Sequence, residues 1–188
     1  EQRGAKPFSI PTGGSNGTGV WGYIAAAEEL KADFARENIN PSTIVHATGS
    51  GGTQAGLIVG CKIHNMPVQI EAYAVCDNVA YFDRKVRDDL RQWQEQFAPD
   101  MALNSLLINT NDQFVGPDYG VAPPEVFDTI KELAALEGVI LDPVYTGKAF
   151  HGMLEGIRQG NYDKDSDIVF LHTGGLFGLL AQQDRLNF

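Results

Sequence analysis

The chain has 188 residues, 43% hydrophobic and 20% charged, a balance that fits one folded α/β-sized domain and excludes a disordered or fibrous segment. Fourteen basic residues against 24 acidic ones leave a formal charge of -10, and no stretch gathers Lys and Arg into the basic stripe that nucleic acid or an anionic membrane surface requires. Neither is expected as a partner.

In chain order, residues 8–11 form a short strand candidate, followed by the turn-forming TGGSNG (12–17) and a helical run over 18–37. Residues 42–47 read as strand, 53–64 as helix and 68–75 as strand. A long amphipathic helix is predicted over 79–97, with Val79, Phe82, Val86, Leu90, Trp93 and Phe97 on one core-facing stripe. Residues 103–108 are a further strand candidate, and 109–124 read as a long loop rich in Asn, Asp, Gly and Pro. Pro123 or Pro124 opens a helix to about residue 136. A short strand at 139–141, a helix over 144–159, a strand at 167–172 and a helix over 176–186 complete the pattern. Strands alternating with helices at this spacing predict an α/β fold, a three-layer αβα arrangement with a mainly parallel sheet.

Cys61 and Cys76 have neither the number nor the spacing of a disulfide framework or metal site, which predicts a reducing compartment and buried, apolar roles for both. No apolar run approaches the roughly 18 residues of a transmembrane helix, and no signal-peptide pattern opens the chain, so a cytoplasmic location is expected. The sequence opens EQRGAKPFSIP without Met, as a processed or cut chain would.

In a parallel sheet ligands gather at the carboxyl ends of the strands, which directs attention to three loops: 48–53, 142–148 and 172–175. The first runs strand, TGSGGT, helix; four of the eight residues from Gly49 to Gly56 are Gly. Such a loop turns successive N–H groups to one point and adds the unpaired donors of a helix start, an anion cradle suited to a phosphate monoester. The P-loop lysine is lacking and GxGxxG is not matched. A tight turn without a ligand accounts for the same glycines. In LDPVYTGKAFHGM, Asp142 as N-cap and Pro143 at the first helical position explain half the motif by ordinary capping, and Tyr145 could simply pack. FLHTGG ends a strongly apolar strand in Thr173, which reads equally as a ligand contact or a turn residue.

Taken together and in order, GGSNGTGVWGY (13–23), ATGSGGTQAGL (47–57), GPDYG (116–120), LDPVYTGKA (141–149) and FLHTGG (170–175) resemble the D-cysteine desulfhydrase and 1-aminocyclopropane-1-carboxylate deaminase family of pyridoxal phosphate enzymes. The resemblance implies the tryptophan synthase β-like fold, fold type II, with residues 1–188 as its C-terminal, cofactor-binding large domain. It implies that Gly49, Ser50, Gly51, Gly52 and Thr53 bind the cofactor phosphate, that Thr173 faces the pyridine nitrogen, and that Tyr119 and Tyr145 are catalytic residues on the substrate side. A hydroxyl at Thr173 would not hold that nitrogen protonated, which suits elimination more than transamination. A neighbouring cation could lower the pKa of the phenols enough for proton transfer.

Thr146, assigned to the cofactor side, discriminates within the family. Ring-opening deaminases typically carry Glu at that position and no hydroxyl at the position of Thr173, so Tyr145-Thr146 with Thr173 is similar to the desulfhydrases. The expected reaction is β-elimination from D-cysteine, with a 1-aminocyclopropane-1-carboxylate deaminase, another β-substituted amino acid lyase, or a non-catalytic phosphate-binding fragment as alternatives. The intact enzyme is expected to be a homodimer acting on a small amino acid.

The family's Schiff-base lysine lies far upstream of the glycine loop, in an N-terminal part that this sequence does not contain. The seven lysines are Lys6, Lys31, Lys62, Lys85, Lys131, Lys148 and Lys164. Lys31, Lys62, Lys85 and Lys131 read as solvated helix charges, and Lys148 as a structural or surface cation. The chain alone is accordingly expected to be inactive. His46, His64, His151 and His172 lack acidic partners at ligand spacing, so no metal is expected. Trp21 and Trp93 read as core or interface residues, and the GGSN turn at 13–16 as a segment that approaches the cofactor or substrate.

Overall fold

The computed structural model describes residues 4, 6–103 and 105–186. Its sheet has four parallel strands in the order β3-β2-β1-β4: β1 (Pro41–Thr48), β2 (Gln69–Ala74), β3 (Asn109–Asn111) and β4 (Asp167–Phe170). The helices are α1 (Trp21–Glu37), α2 (Gly52–Ile63), α3 (Val79–Phe97), α4 (Pro124–Glu137), α5 (Thr146–Arg158) and α6 (Leu176–Leu180).

β1 is central and buried along seven of its eight residues, as a parallel strand covered on both faces must be. Successive side chains alternate between faces. Ile44 packs with Val20 and Ile24 of the α1 segment and Leu57 of α2, while Val45 and Ala47 pack with Tyr73 of β2 and Ala149 and Met153 of α5. A third cluster joins Val126, Phe127 and Ile130 of α4 to Leu141 and Leu179. The result is the expected αβα layering.

On α3 the predicted stripe is core through Phe82, Val86, Leu90 and Trp93, whereas Val79 and Phe97 at its ends are exposed. Asn78 caps this helix by accepting from the Tyr81 amide at 2.9 Å. Trp21 is partly exposed and meets Trp93 and Phe97 edge-on.

Three predicted strands are corrected. Residues 8–11 are irregular and lead into a 3-10 turn at Thr12–Gly14. Residues 139–141 pair with no strand; Leu141 is instead buried against α4. The described residues of 103–108 are not strand either, and residue 104 lies outside the described residues. The edge strand falls at Asn109–Asn111, inside the expected loop, because β2 offers Glu71, Ala72 and Tyr73 as partners there. Gln54 of α2 secures it, its Nε2 donating to Asn109 O and Thr110 Oγ1 at 3.0 Å each. The last predicted helix stops at Leu180 and resumes only as a 3-10 turn at Gln183–Arg185. Among the described residues no helix is long and apolar enough to cross a membrane.

Candidate active site

Thr48 ends β1 and Gly52 begins α2, so Gly49, Ser50 and Gly51 make the whole turn. Gly51 has φ +87°, a left-handed value that a side chain would strain, and it stands immediately before the helix. The amide of Thr53, in the first turn of α2, has no acceptor four residues upstream within the helix, and the helix dipole favours an anion at this end.

The GGSN turn completes the loop. Ser15, buried, accepts the Gly52 amide on its Oγ at 3.0 Å and donates to Ser50 Oγ at 2.7 Å. With its oxygen already accepting from Ser15, Ser50 keeps its own proton to donate to a ligand. Gly13 approaches so closely that a Cβ there would lie 2.2 Å from Ser50 Oγ. The GGSN turn thus lies directly against the glycine loop.

A cavity of about 190 Å³ opens over this loop, lined by Thr12, Gly13, Ala47, Thr48, Gly49, Ser50, Gly51, Thr53, Tyr145 and Thr173. A second of about 560 Å³ shares Thr12, Gly49, Ser50 and Tyr145 with it and adds Cys76, Asp77, Tyr81, Lys85 and Tyr119. Together they form one cleft at the carboxyl ends of the strands, where parallel sheets bind ligands. Gly49, Ser50, Gly51, Thr53, Tyr145 and Thr173 are therefore brought together in the smaller cavity, and Tyr119 joins Tyr145 in the larger one. The Tyr119 and Tyr145 hydroxyls lie 2.6 Å apart. Burial, then the neighbouring Tyr119, raises the Tyr145 pKa.

Two predicted residues are placed elsewhere. Gly52 lines neither cavity, its amide being taken by Ser15. Thr146 is fully buried and turned away from the cleft: its Oγ1 donates to Asp142 Oδ1 at 2.8 Å and accepts from the Asp142 amide at 3.0 Å. Asp142 is not the N-cap expected from the sequence, since α5 begins at Thr146 with Tyr145 as its N-cap and Pro143 lies in the preceding turn; its carboxylate instead accepts from the amides of Val144, Tyr145 and Thr146, which holds the Tyr145 backbone in place. His172 is exposed and bonds Ile140 O through Nε2 at 2.9 Å.

Two residues, Lys85 and Cys76, depart from their sequence readings, and a third, Lys148, is decided between two. Lys85 is no solvated charge: its ammonium lies 2.5 Å from Asp89 Oδ2 and 3.0 Å from Ser15 O, and it lines the cleft. Cys61 is buried, but Cys76 is only half-buried, donates to Gly49 O at 3.6 Å and lines the larger cavity. Burial is the main cause that pushes its thiol up to about 11. Of the two roles open to Lys148, structural or surface cation, it takes the structural one: the residue is fully buried, and burial lowers its pKa. Its neighbours in sequence, Gly147 and Ala149, are small, which is the one local sign that α5 packs closely there.

The model of pyridoxal-phosphate dependent enzymes matches residues 1–174. The chain belongs to the pyridoxal-phosphate dependent enzyme family. It is 39% identical over 188 residues to a putative 1-aminocyclopropane-1-carboxylate deaminase of Thermotoga maritima, covering 99% of this chain and 57% of that protein. It is 40% identical over 182 residues to a D-cysteine desulfhydrase of Salmonella schwarzengrund, covering 96% of this chain and 54% of that one. A solved homologue of 1-aminocyclopropane-1-carboxylate deaminase superposes with a TM-score of 0.86 at 33% identity, over 98% of this chain and 54% of that structure. The chain thus spans about half the length of the curated relatives it matches.

The residues present fit the family's cofactor. Thr48 Oγ1 is buried without a hydrogen-bond partner and lines the smaller cavity, and the Ser50 hydroxyl and the α2 start point the same way: a polar lining short of an acceptor-rich ligand such as a phosphate.

Proposed function

We propose that residues 1–188 form the C-terminal, cofactor-binding large domain of a fold type II enzyme that performs β-elimination on a small amino acid. The substrate best suited is D-cysteine, which with one water gives pyruvate, hydrogen sulfide and ammonia. The observation that carries this reading is the convergence of Ser50, Gly51, Thr53, Tyr145 and Thr173 on one cavity, with Tyr119 beside it.

Pyridoxal phosphate, when bound, supplies an electron-withdrawing ring that stabilises negative charge at the substrate α-carbon. Gly49, Ser50, Gly51 and Thr53, which line the smaller cavity, would hold its phosphate, with Gly52 shaping the loop. Thr173, which lines the smaller cavity, would offer the ring nitrogen a hydroxyl rather than a carboxylate, leaving that nitrogen uncharged and favouring expulsion of a β-substituent over transamination. Thr146 acts on the cofactor side through Asp142 and the Tyr145 backbone. Tyr119 and Tyr145, sharing one hydroxyl–hydroxyl contact, orient the substrate and deliver a proton to the departing sulfur; the raised pKa of Tyr145 keeps it a donor at neutral pH.

The lysine that binds the cofactor covalently belongs, on this reading, to an N-terminal part outside this sequence. Lys85, which lines the cleft, and the buried Lys148 support this by being committed to Asp89 and to backbone carbonyls. The chain alone is then expected to release no sulfide, the intact enzyme to be a cytoplasmic homodimer. A second reading, ring-opening deamination, is favoured by the name of the Thermotoga relative. Rates of sulfide release from D-cysteine and of ketobutyrate release from 1-aminocyclopropane-1-carboxylate by the intact enzyme separate the two. Much faster ketobutyrate release would overturn the desulfhydrase assignment. Dialysis of the isolated chain with pyridoxal phosphate tests the missing lysine: a retained visible band, removed by acid, would contradict it.

A further inference from the structure

Lys148 is a buried charge that the chemistry above does not consume. It sits in the first turn of α5, three residues after Tyr145, with Nζ 2.5 Å from Val115 O and 3.1 Å from Asp118 O. Both carbonyls belong to the segment between β3 and α4, and Tyr119 follows the second directly. Residues 116–119 of that segment are exposed. Exposed irregular backbone has many conformations to choose from, and ordering it takes specific ties.

The ties can be traced. Asp118 Oδ1 accepts the Tyr119 amide at 2.7 Å, and Asp118 O accepts the Val121 amide at 3.1 Å, so residues 118–121 close on themselves. After Tyr119, Gln182 Nε2 donates to Gly120 O at 3.1 Å. Before Tyr119, the Val79 amide at the start of α3 donates to Asp112 Oδ2 at 3.0 Å and Phe114 meets His151 of α5 edge-on, while Lys148 holds the two carbonyls, Val115 and Asp118, that flank residues 116 and 117. An amine stripped of water at this depth is costly, and two carbonyl acceptors offset that cost.

We propose that Lys148 is a positioning residue: by donating to the carbonyls of Val115 and Asp118 it fixes the GPDYG segment against α5 and so sets the Tyr119 hydroxyl against that of Tyr145. One side chain of α5 thereby registers both halves of the tyrosine pair, since Tyr145 is the N-cap residue immediately before α5. The catalytic consequence rests on the elimination reading above; the positional claim does not.

The test uses Lys148→Met in the 188-residue chain, without cofactor. Amide exchange at Tyr119 and Val121 should accelerate by about tenfold or more while β1 amides change by less than about threefold, the signature of local rather than global opening. The 13Cζ signals of Tyr119 and Tyr145 should move toward those of Tyr119→Phe and Tyr145→Phe chains, in which the pair is broken. Unchanged exchange and unchanged Cζ signals would overturn the proposal. Should the variant not fold, the unaltered chain decides: the Lys148 Nζ protons should exchange with water far more slowly than those of exposed Lys62, and equal rates would overturn it. Neither readout involves pyridoxal phosphate, so failure of cofactor binding and failure of this proposal are separate results.

Discussion

The ammonium of Lys85 joins the carboxylate of Asp89, one turn along α3, at 2.5 Å and at the same time reaches the carbonyl of Ser15 at 3.0 Å. The Asp89 side chain is 2% exposed. This pair links the interior of α3 to the turn whose serine holds the glycine loop.

Replacing Lys85 by Met leaves that carboxylate buried and unpaired, which should cost on the order of 3 kcal/mol at neutral pH. Burial already raises the Asp89 pKa, and losing Lys85 raises it further. A raised carboxyl pKa gives stability that is present at low pH and lost as pH rises, so the deficit of the variant should shrink on acidification. Urea titrations of both chains at neutral pH and near pH 5 check this; an equal deficit at both would refute it.

Gly13 and Gly14 separate contact from strain. Both have left-handed backbones, φ +65° and +64°, but a Cβ at Gly13 would meet Ser50 Oγ at 2.2 Å while one at Gly14 meets nothing within 4 Å. Gly13→Ala and Gly14→Ala should each lose about 1 kcal/mol of stability from backbone strain. Only Gly13→Ala should also weaken pyridoxal phosphate binding, by about tenfold, the equivalent of one displaced hydrogen bond to a charged group. Equal affinities in fluorescence titration would mean that Ser50 does not touch the phosphate.

His46 predicts an acid limb of stability. It is fully buried on β1; its Nδ1 donates to Ala47 O at 2.9 Å and its Nε2 has no partner. Burial lowers its pKa from 6.5 to about 4. The unfolded chain therefore takes up the proton first, and stability present above pH 6.5 falls as pH drops toward 4, by about 3 kcal/mol over the full window. His46→Leu should flatten that limb in thermal denaturation across pH 7 to 4; an unchanged slope would show another group responsible.

Tyr119 and Tyr145 should behave as a unit. In the intact enzyme, Tyr145→Phe should lower kcat by about 10²- to 10⁴-fold, the usual range for losing a positioned proton donor. The Tyr119→Phe, Tyr145→Phe double variant should be little worse than the poorer single one, because partners 2.6 Å apart share one interaction. Steady-state rates with D-cysteine test this, and additive losses would show independent roles.

The strand, TGSGGT and helix at 43–63 were legible because every part of the signal is local: β-branched residues, clustered glycines and a helical period follow one another within twenty or so positions. In DPVYTGK the bonding of Asp142 to amides two to four positions away was legible for the same reason, but the helix start was not: α5 begins at Thr146 rather than at Pro143. Residues 103–111 were not. There Leu103, Leu106, Leu107 and Ile108 supply the apolar run, but the strand forms over Asn109–Asn111, since an edge strand goes where its partner's free groups and Gln54 accept it.

The sequence by itself determined the alternating α/β order, the strand, glycine loop and helix around Gly49–Thr53, and, through its family resemblance, pyridoxal phosphate as the cofactor. Tertiary structure alone decided that Ser15 and Ser50 share a hydrogen bond across 35 positions, that Lys85 meets Ser15 across 70, and that Lys148 is buried while Thr146 turns inward. The reason is physical: helical and strand periods act between near neighbours, whereas the burial and pairing of a polar side chain depend on which distant segment the fold lays against it.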